Sequence, residues 1–200
     1  MTRRTIAHIS DLHFGRTNPV VADALVEDLH RDPPDVLVNS GDFTQRARQG
    51  QYKAAADYIR RLPGPQINVP GNHDIPLYDI FRRFLAPLNR FRRWITADPF
   101  PTYRDDGLII IGINTARSMT WKGGRISQEQ ISELDRKLSD VPESAHKVIV
   151  THHPFIPPPG EEGAGVDLVG RAEAALEVLE RHRVDLLLAG HLHHGYTGDV

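Results

Sequence analysis

Gly71-Asn72-His73-Asp74 breaks straight out of the apolar run Ile67-Asn68-Val69-Pro70 and sets an amide, an imidazole and a carboxylate in consecutive positions. Such a stretch makes a poor core segment and a poor ordinary turn, so it reads as a site. The other unusual polar residues repeat the arrangement. Asp11 and His13 follow Thr5-Ile6-Ala7-His8-Ile9-Ser10, Asp42 follows Val36-Leu37-Val38-Asn39-Ser40-Gly41, and His152 follows Lys147-Val148-Ile149-Val150-Thr151. His191 and His193 follow Asp185-Leu186-Leu187-Leu188-Ala189-Gly190. In open α/β sheets ligands gather outside the carboxyl ends of the strands, so one pocket would collect all of these side chains.

The chain has no cysteine, which leaves His, Asp, Glu and Asn as ligands and suits a borderline metal such as Zn, Mn, Fe or Co rather than a thiolate site. Asp11 and His13, two apart on a segment leaving a strand, point the same way and can hold one ion together; His191 and His193 repeat the pattern. Asp42 has two oxygens with which to bridge two ions, whereas Asn72 offers one neutral carbonyl oxygen. Seven ligands with one shared give two ions four protein ligands each and leave positions for water and substrate, as a two-metal hydrolase requires. Taken alone, an Asp-x-His pair or a single histidine is more often a hydrogen-bonded structural group. All the blocks in order, each behind its own strand, are not explained that way.

The elements that must position these residues are legible from periodicity. Residues 5 to 10, 35 to 40 and 66 to 70 read as strands, with helices over 19 to 31 and 49 to 62 between them, so the first seventy residues predict a parallel sheet with right-handed crossovers. Residues 79 to 95 interleave Phe81, Phe84, Leu85, Leu88, Phe91 and Trp94 with Arg82, Arg83, Arg90, Arg92 and Arg93. That segment is either an amphipathic helix packing its aromatics inward or a cap offering guanidinium groups to an anionic substrate, and its aromatics could equally line a homodimer contact. Residues 100 to 104 and 108 to 114 predict paired strands around Asp105-Asp106-Gly107, followed by a helix from Ser127 to Leu138 and a strand over 147 to 151. Pro154 to Gly170 predicts a long irregular loop, read here as a substrate rim, and residues 170 to 182 and 184 to 189 a last helix and strand.

Bounds on function come from composition. The 200 residues, 40% apolar, predict a single domain over residues 1 to 200 with a proper core, and a net charge of -2 from 24 basic and 26 acidic residues argues against a protein that coats nucleic acid. No apolar run approaches the ~18 residues of a membrane span, and Met1-Thr2-Arg3-Arg4 leads into a strand-like segment rather than a signal sequence, so a cytoplasmic protein is the default expectation.

In these blocks the chain resembles the calcineurin-like metallophosphoesterases, whose signature is Asp-x-His, Gly-Asp, Gly-Asn-His-Asp or Glu, His, and Gly-His-x-His. All five are present between residues 11 and 193. The compact spacing and His8-Ile9-Ser10-Asp11-Leu12-His13 resemble, within that superfamily, the bacterial class III cyclic nucleotide phosphodiesterases and related glycerophosphodiesterases. The resemblance implies a four-layer α-β-β-α sandwich of two mixed sheets flanked by helices, and two divalent or trivalent ions (Fe, Mn or Zn). It implies that Asp11, His13 and His193 bind one ion, that Asn72, His152 and His191 bind the other, and that Asp42 bridges them. His152 rather than His153 is the implied ligand because it follows the strand directly, with Pro154 two positions on. Family members usually continue past Gly-His-x-His with further strands, where only His194 to Val200 remain, so a shortened C-terminal part or an incomplete second sheet is expected.

The expected reaction is in-line attack of a metal-held hydroxide on phosphorus, with His73 protonating or polarising the departing alkoxide and Asp74 orienting the His73 ring. A small phosphodiester, by preference a cyclic nucleotide, is the expected substrate. A phosphomonoesterase or phosphoprotein phosphatase would use the same metals and differ only at the rim around Arg46, Arg82, Arg83 and residues 154 to 170. A nuclease is disfavoured for want of a basic track with interleaved aromatics, and a catalytically dead scaffold would have lost ligands that this chain keeps.

Overall fold

The computed structural model describes residues 3–120, 123–161 and 165–199. Of the positions singled out above, Met1, Thr2, Gly163, Ala164 and Val200 lie outside the described residues. The first sheet holds β1 (Ile6–Ile9), β2 (Val36–Asn39) and β3 (Gln66–Asn68), all parallel and in that order. Their crossovers are α1 (Pro19–Arg31) and α2 (Gln49–Ile59). α1 starts where it does because Pro19 supplies a preset first helical position and the Asn18 side chain accepts the Val20 N–H.

The second sheet runs in the order β4 (Thr102–Arg104), β5 (Leu108–Gly112), β7 (His146–Val150), β9 (Leu186–Leu188), and only β4 is antiparallel. The mixed character expected of both sheets is therefore confined to the second. Its outer face is covered by α5 (Gln128–Ser139) and α6 (Ala172–Arg181).

Side-chain alternation along the strands builds three cores and so four layers. Val36, Val38 and Ile67 of the first sheet meet Leu108, Ile110, Val148 and Val150 of the second. Leu37 faces the opposite way, onto Val26 and Leu29 of α1 and Ala55 and Ile59 of α2, while Ile109, Ile111 and Ile149 face Leu134 and Leu138 of α5 and Val178 of α6. This is the α-β-β-α sandwich anticipated from the sequence. The consequence for function is that every parallel strand ends on the same rim.

Three expectations need correction. Residues 79 to 95 form not one amphipathic segment but two short helices, α3 (Ile80–Leu85) and α4 (Asn89–Trp94), because Pro87 cannot continue a helix. Phe91 of α4 is fully buried and sits 5.8 Å from Phe43, ring to ring, whereas Phe81 and Leu85 of α3 are each 81% exposed. Inward packing of the aromatics therefore holds for α4 alone. Arg83 is not a rim cation either: it is buried and donates to the carbonyls of Ser118 (2.8 Å), Pro76 (3.1 Å) and Thr120 (2.6 Å). The long loop after His152 is not irregular throughout, since it closes in β8 (Val169–Gly170), which pairs in parallel with β6 (Gly124–Arg125). Among the described residues no helix is long and apolar enough to cross a membrane.

Candidate active site

All seven residues expected as ligands lie just beyond carboxyl ends of parallel strands, on one rim. Asp11 and His13 follow β1, Asp42 follows β2, Asn72 follows β3, His152 follows β7, and His191 and His193 follow β9. The loops stay laced together past the strands: the Asp11 N–H donates to the Gly41 carbonyl (2.9 Å), His13 N–H to the Asp42 carbonyl (2.9 Å), and Gly190 N–H to the His152 carbonyl (3.0 Å). Backbone pairing thus fixes where the side chains converge.

They converge in overlapping groups. Asp11, His13 and His193 bring ligating atoms within 4.8 Å of one another, and so do Asp11, Asp42 and His152, and likewise His13, Asp42 and His73. Asp42 Oδ2 lies 3.8 Å from His13 Nε2 and 3.4 Å from His152 Nε2, and His152 Nε2 lies 3.0 Å from Asn72 Oδ1. The His191 ring centroid is 5.1 Å from that of His152. Asp42 Oδ2 is the oxygen turned towards both imidazoles, while Oδ1 accepts the His73 N–H at 2.8 Å.

The donor set fits cations. His152 Nδ1 donates to the Ser40 carbonyl (2.8 Å), which turns Nε2 towards the oxygens of Asn72 and Asp42. His13 Nε2 and His193 Nε2 face each other at 3.2 Å, and Asp11 Oδ1 lies 3.8 Å from the first and 3.3 Å from the second, buried without a hydrogen-bond partner among the described residues. The second Asp11 oxygen is already held by Ser10 Oγ and by the His191 N–H (3.0 Å). Converging acceptors at contact distance, one of them orphaned, are the signature of a site built for positive charge.

Electrostatics agree. Burial lowers the proton affinity of His152, but the charge of Asp42 and their hydrogen bond outweigh it and raise the pKa to about 9; the same contact holds Asp42 below the usual carboxylate range against its own burial. His191 is pushed down to about 4, chiefly by burial and then by the charge of His152, and burial also lowers His13. Two imidazoles kept neutral are ready metal ligands.

Holding this cluster strains the backbone. Asp11, His13, Asp42, His191 and His193 all have positive φ, between 46° and 76°. Each costs about 1–3 kcal/mol in a side-chain-bearing residue, although Asp and His are among the types that tolerate it best. The motif glycines have a steric reason: a Cβ on Gly71 would fall 2.1 Å from Asp42 Oδ1 and 2.5 Å from Asp42 N, and Gly41 combines a φ of +105° with the same close approach from the other side. Gly71→Ala must therefore displace Asp42. We expect activity to fall at least about tenfold and stability by about 1–3 kcal/mol, read from initial rates and urea midpoints; unchanged rates would show that the two loops can separate without cost.

His73 and Asp74 occupy the rim, but not as a triad-like pair. His73 Nδ1 donates to the Gln45 carbonyl (2.8 Å), and Arg46 Nη1 donates to that same oxygen (2.9 Å), so it is Gln45 that orients the ring. The expected orienting role of Asp74 is corrected by its contacts. Its carboxylate is turned away from the ring and accepts the N–H groups of Gly71 (3.0 Å), Phe43 (3.2 Å) and Thr44 (2.9 Å). Burial, followed by the charge of Asp42, raises its pKa to about 7 against the pull of those amides. Of the expected rim residues, Arg46 is beside His73, while Pro154, Phe155 and Ile156 line a cavity of about 930 Å³ along β1 and β9 that also reaches Asp11 and His193.

Sequence reasoning set aside His153, which is fully buried and close to the ligands. Its ring lies 4.9 Å from His152 and 4.7 Å from His191, and Nδ1 is 2.8 Å from Thr115 Oγ1. The signal available was Asn114-Thr115 at the end of β5, a polar strand end like the others.

The sequence pattern described as Calcineurin-like phosphoesterase matches residues 4–195. A probable cyclic nucleotide phosphodiesterase from Synechococcus sp. is 28% identical over 207 residues, covering 96% of this chain and 74% of that protein. The 3',5'-cyclic adenosine monophosphate phosphodiesterase CpdA of Escherichia coli is 26% identical over 167 residues, covering 82% of this chain and 56% of its own length. A glycerophosphodiester phosphodiesterase from Enterobacter lignolyticus is 29% identical over 167 residues, covering 76% and 57%. In fold, the chain is similar to a dimetal phosphatase from Danio rerio (TM-score 0.68, 17% identity, 95% of this chain and 82% of that one). It is similar also to a purple acid phosphatase from yellow lupin (TM-score 0.66, 13% identity, 95% and 38%).

Proposed function

The chain belongs to the calcineurin-like phosphoesterase family, and on that premise we propose that it is a binuclear metal-dependent phosphodiesterase acting on small diesters, 3',5'-cyclic nucleotides foremost. The observation that carries the reading is the Asp42 carboxylate, whose Oδ2 stands 3.8 Å from His13 Nε2 and 3.4 Å from His152 Nε2, beside both groups of candidate ligands. Asp11, His13 and His193 would hold one ion, and Asn72, His152 and His191 the other. Bound there, the ions would lower the pKa of water towards ~7 and draw negative charge from the phosphoryl oxygens.

The remaining work falls to the chain. His73, with Nδ1–H committed to the Gln45 carbonyl, keeps Nε2 for the leaving oxygen, and the Arg46 guanidinium beside it adds positive charge where the phosphoryl group carries negative charge. His73→Ala should then lower kcat by about 10²-fold for a diester that expels an alkoxide, and by much less for bis(p-nitrophenyl) phosphate, whose leaving group needs little protonation. A loss within about threefold for the alkoxide substrate, at unchanged metal content, would remove His73 from the acid role.

Substrate class is tested by one panel: bis(p-nitrophenyl) phosphate, p-nitrophenyl phosphate, cyclic AMP, glycerophosphodiesters and single-stranded DNA, each with Mn, Fe, Zn or no added metal. Faster turnover of diesters than of the monoester is the expected result. Monoester turnover in excess would make the protein a phosphomonoesterase, and bound metal with no turnover a scaffold.

A further inference from the structure

A groove of about 530 Å³ opens directly beside the cluster, sharing His13, His73 and His193 with it. Away from those histidines its wall is apolar, formed by Leu12 and by Val21, Ala22 and Leu25 on one face of α1, with Tyr58 of α2 behind. The Tyr58 hydroxyl donates to the Ala22 carbonyl (2.9 Å) and the Thr17 hydroxyl to the Leu12 carbonyl (2.6 Å), so neither has a proton left to donate to an occupant. Polar groups line the rim, Gln45 beside His73 and two more towards α1. The exposed Arg16 guanidinium has no hydrogen bond or ion pair among the described residues, and Asn18, whose Oδ1 accepts the Val20 N–H at 3.0 Å, keeps its amide N–H groups.

Resting on the phosphodiesterase reading above, we propose that this groove receives the nucleobase of the substrate, with Arg16 and Val21 as specificity-determining residues. A site in the range of 300–1,000 Å³ with apolar walls and a few convergent polar groups is the usual form of a pocket for a flat heterocycle. A base offers two π-faces to Leu12, Val21 and Leu25, stacks with a guanidinium, and presents ring nitrogens and carbonyls to the Asn18 amide and to Arg16. Glycerol or another small polyol has no flat apolar face of comparable area to set against the same aliphatic wall. The groove therefore separates nucleotides from glycerophosphodiesters, two classes on which the metal cluster alone has no means of choosing.

The test compares binding as well as turnover. Affinities of 5'-AMP and glycerol 3-phosphate are measured by calorimetry on the full chain incubated with Mn2+, for wild type and for Arg16→Ala combined with Val21→Asn. Both positions are exposed, Val21 by 64%, so neither change removes core packing. We expect AMP to bind about tenfold more tightly than glycerol 3-phosphate, the order of one stacked base, and the double variant to bring the ratio within about threefold. Equal affinities in wild type, or a ratio that the double variant leaves unchanged, overturn the proposal; the second outcome would make Arg16 a general phosphate contact. Turnover separates this from the underlying reading, since failure to hydrolyse any diester defeats the proposed function while the AMP ratio still decides the groove.

Discussion

Asp42→Asn should reduce kcat/KM on a small diester by about 10³-fold, which corresponds to about 4 kcal/mol of transition-state stabilisation, and should lower bound metal from two ions per chain to one or none. The substitution is nearly isosteric and reaches the one atom common to the groups. Asn Oδ1 can still accept the His73 N–H, now at 2.8 Å, so the turn after β3 keeps its anchor. What changes is the atom in the place of Oδ2: an amide that donates now stands 3.8 Å from His13 Nε2 and 3.4 Å from His152 Nε2. A donor there satisfies one imidazole lone pair and repels a cation. The metal-free variant should accordingly unfold within a few degrees of the metal-free wild type, whereas the rise in Tm that Mn2+ gives wild type through binding only the folded state should shrink or vanish. Elemental analysis of the washed protein checks the stoichiometry. Two ions retained by the variant, with activity near wild type, would mean that Asp42 is not shared.

The contrast between what could and could not be read from the chain is clearest around this residue. That Asp42, His13 and His152 would meet was legible, because each follows a short β-branched or aliphatic run, and parallel strands that share a sheet end on one rim. Which Asp42 oxygen would face the imidazoles was not. The number of oxygens on a carboxylate says nothing about which of them a neighbouring backbone N–H will claim, and the His73 amide comes from a loop 31 residues away. The left-handed backbone at Asp11, His13, Asp42, His191 and His193 was equally hidden, since Asp and His are merely tolerant of positive φ and do not demand it.

Residues 79 to 95 failed for a different reason. Counting apolar residues at helical spacing registered Phe81, Phe84, Leu88 and Phe91 as one stripe, but a single proline restarts the helix along a new axis, and the stripe then points in two directions. Arg83 went with it: a cation in an arginine-rich run looks solvent-facing until the carbonyls of Pro76, Ser118 and Thr120 are found around it.

Asp74 carries the other large expected effect, and it separates two meanings of the same motif position within this chain. Were Asp74 an orienting group for His73, its removal would lower kcat and leave folding alone. Its contacts instead tie the turn after β3 to the turn after β2, through the N–H groups of Gly71, Phe43 and Thr44, in a place with no exposure to solvent. Asp74→Ala strands those donors, at about 1–3 kcal/mol for each buried group left unpaired. Even the low end of that range, about 3 kcal/mol in all, is a large part of the roughly 5–15 kcal/mol that holds a domain folded. Asp74→Asn keeps one acceptor oxygen and should cost distinctly less. Because the two turns bear Asp42 and Asn72, activity should fall only as far as the folded fraction and the metal content fall. Urea unfolding of both variants, read beside kcat per bound metal, decides the matter: a normal midpoint for Asp74→Ala with a collapsed kcat would return the carboxylate to the service of His73.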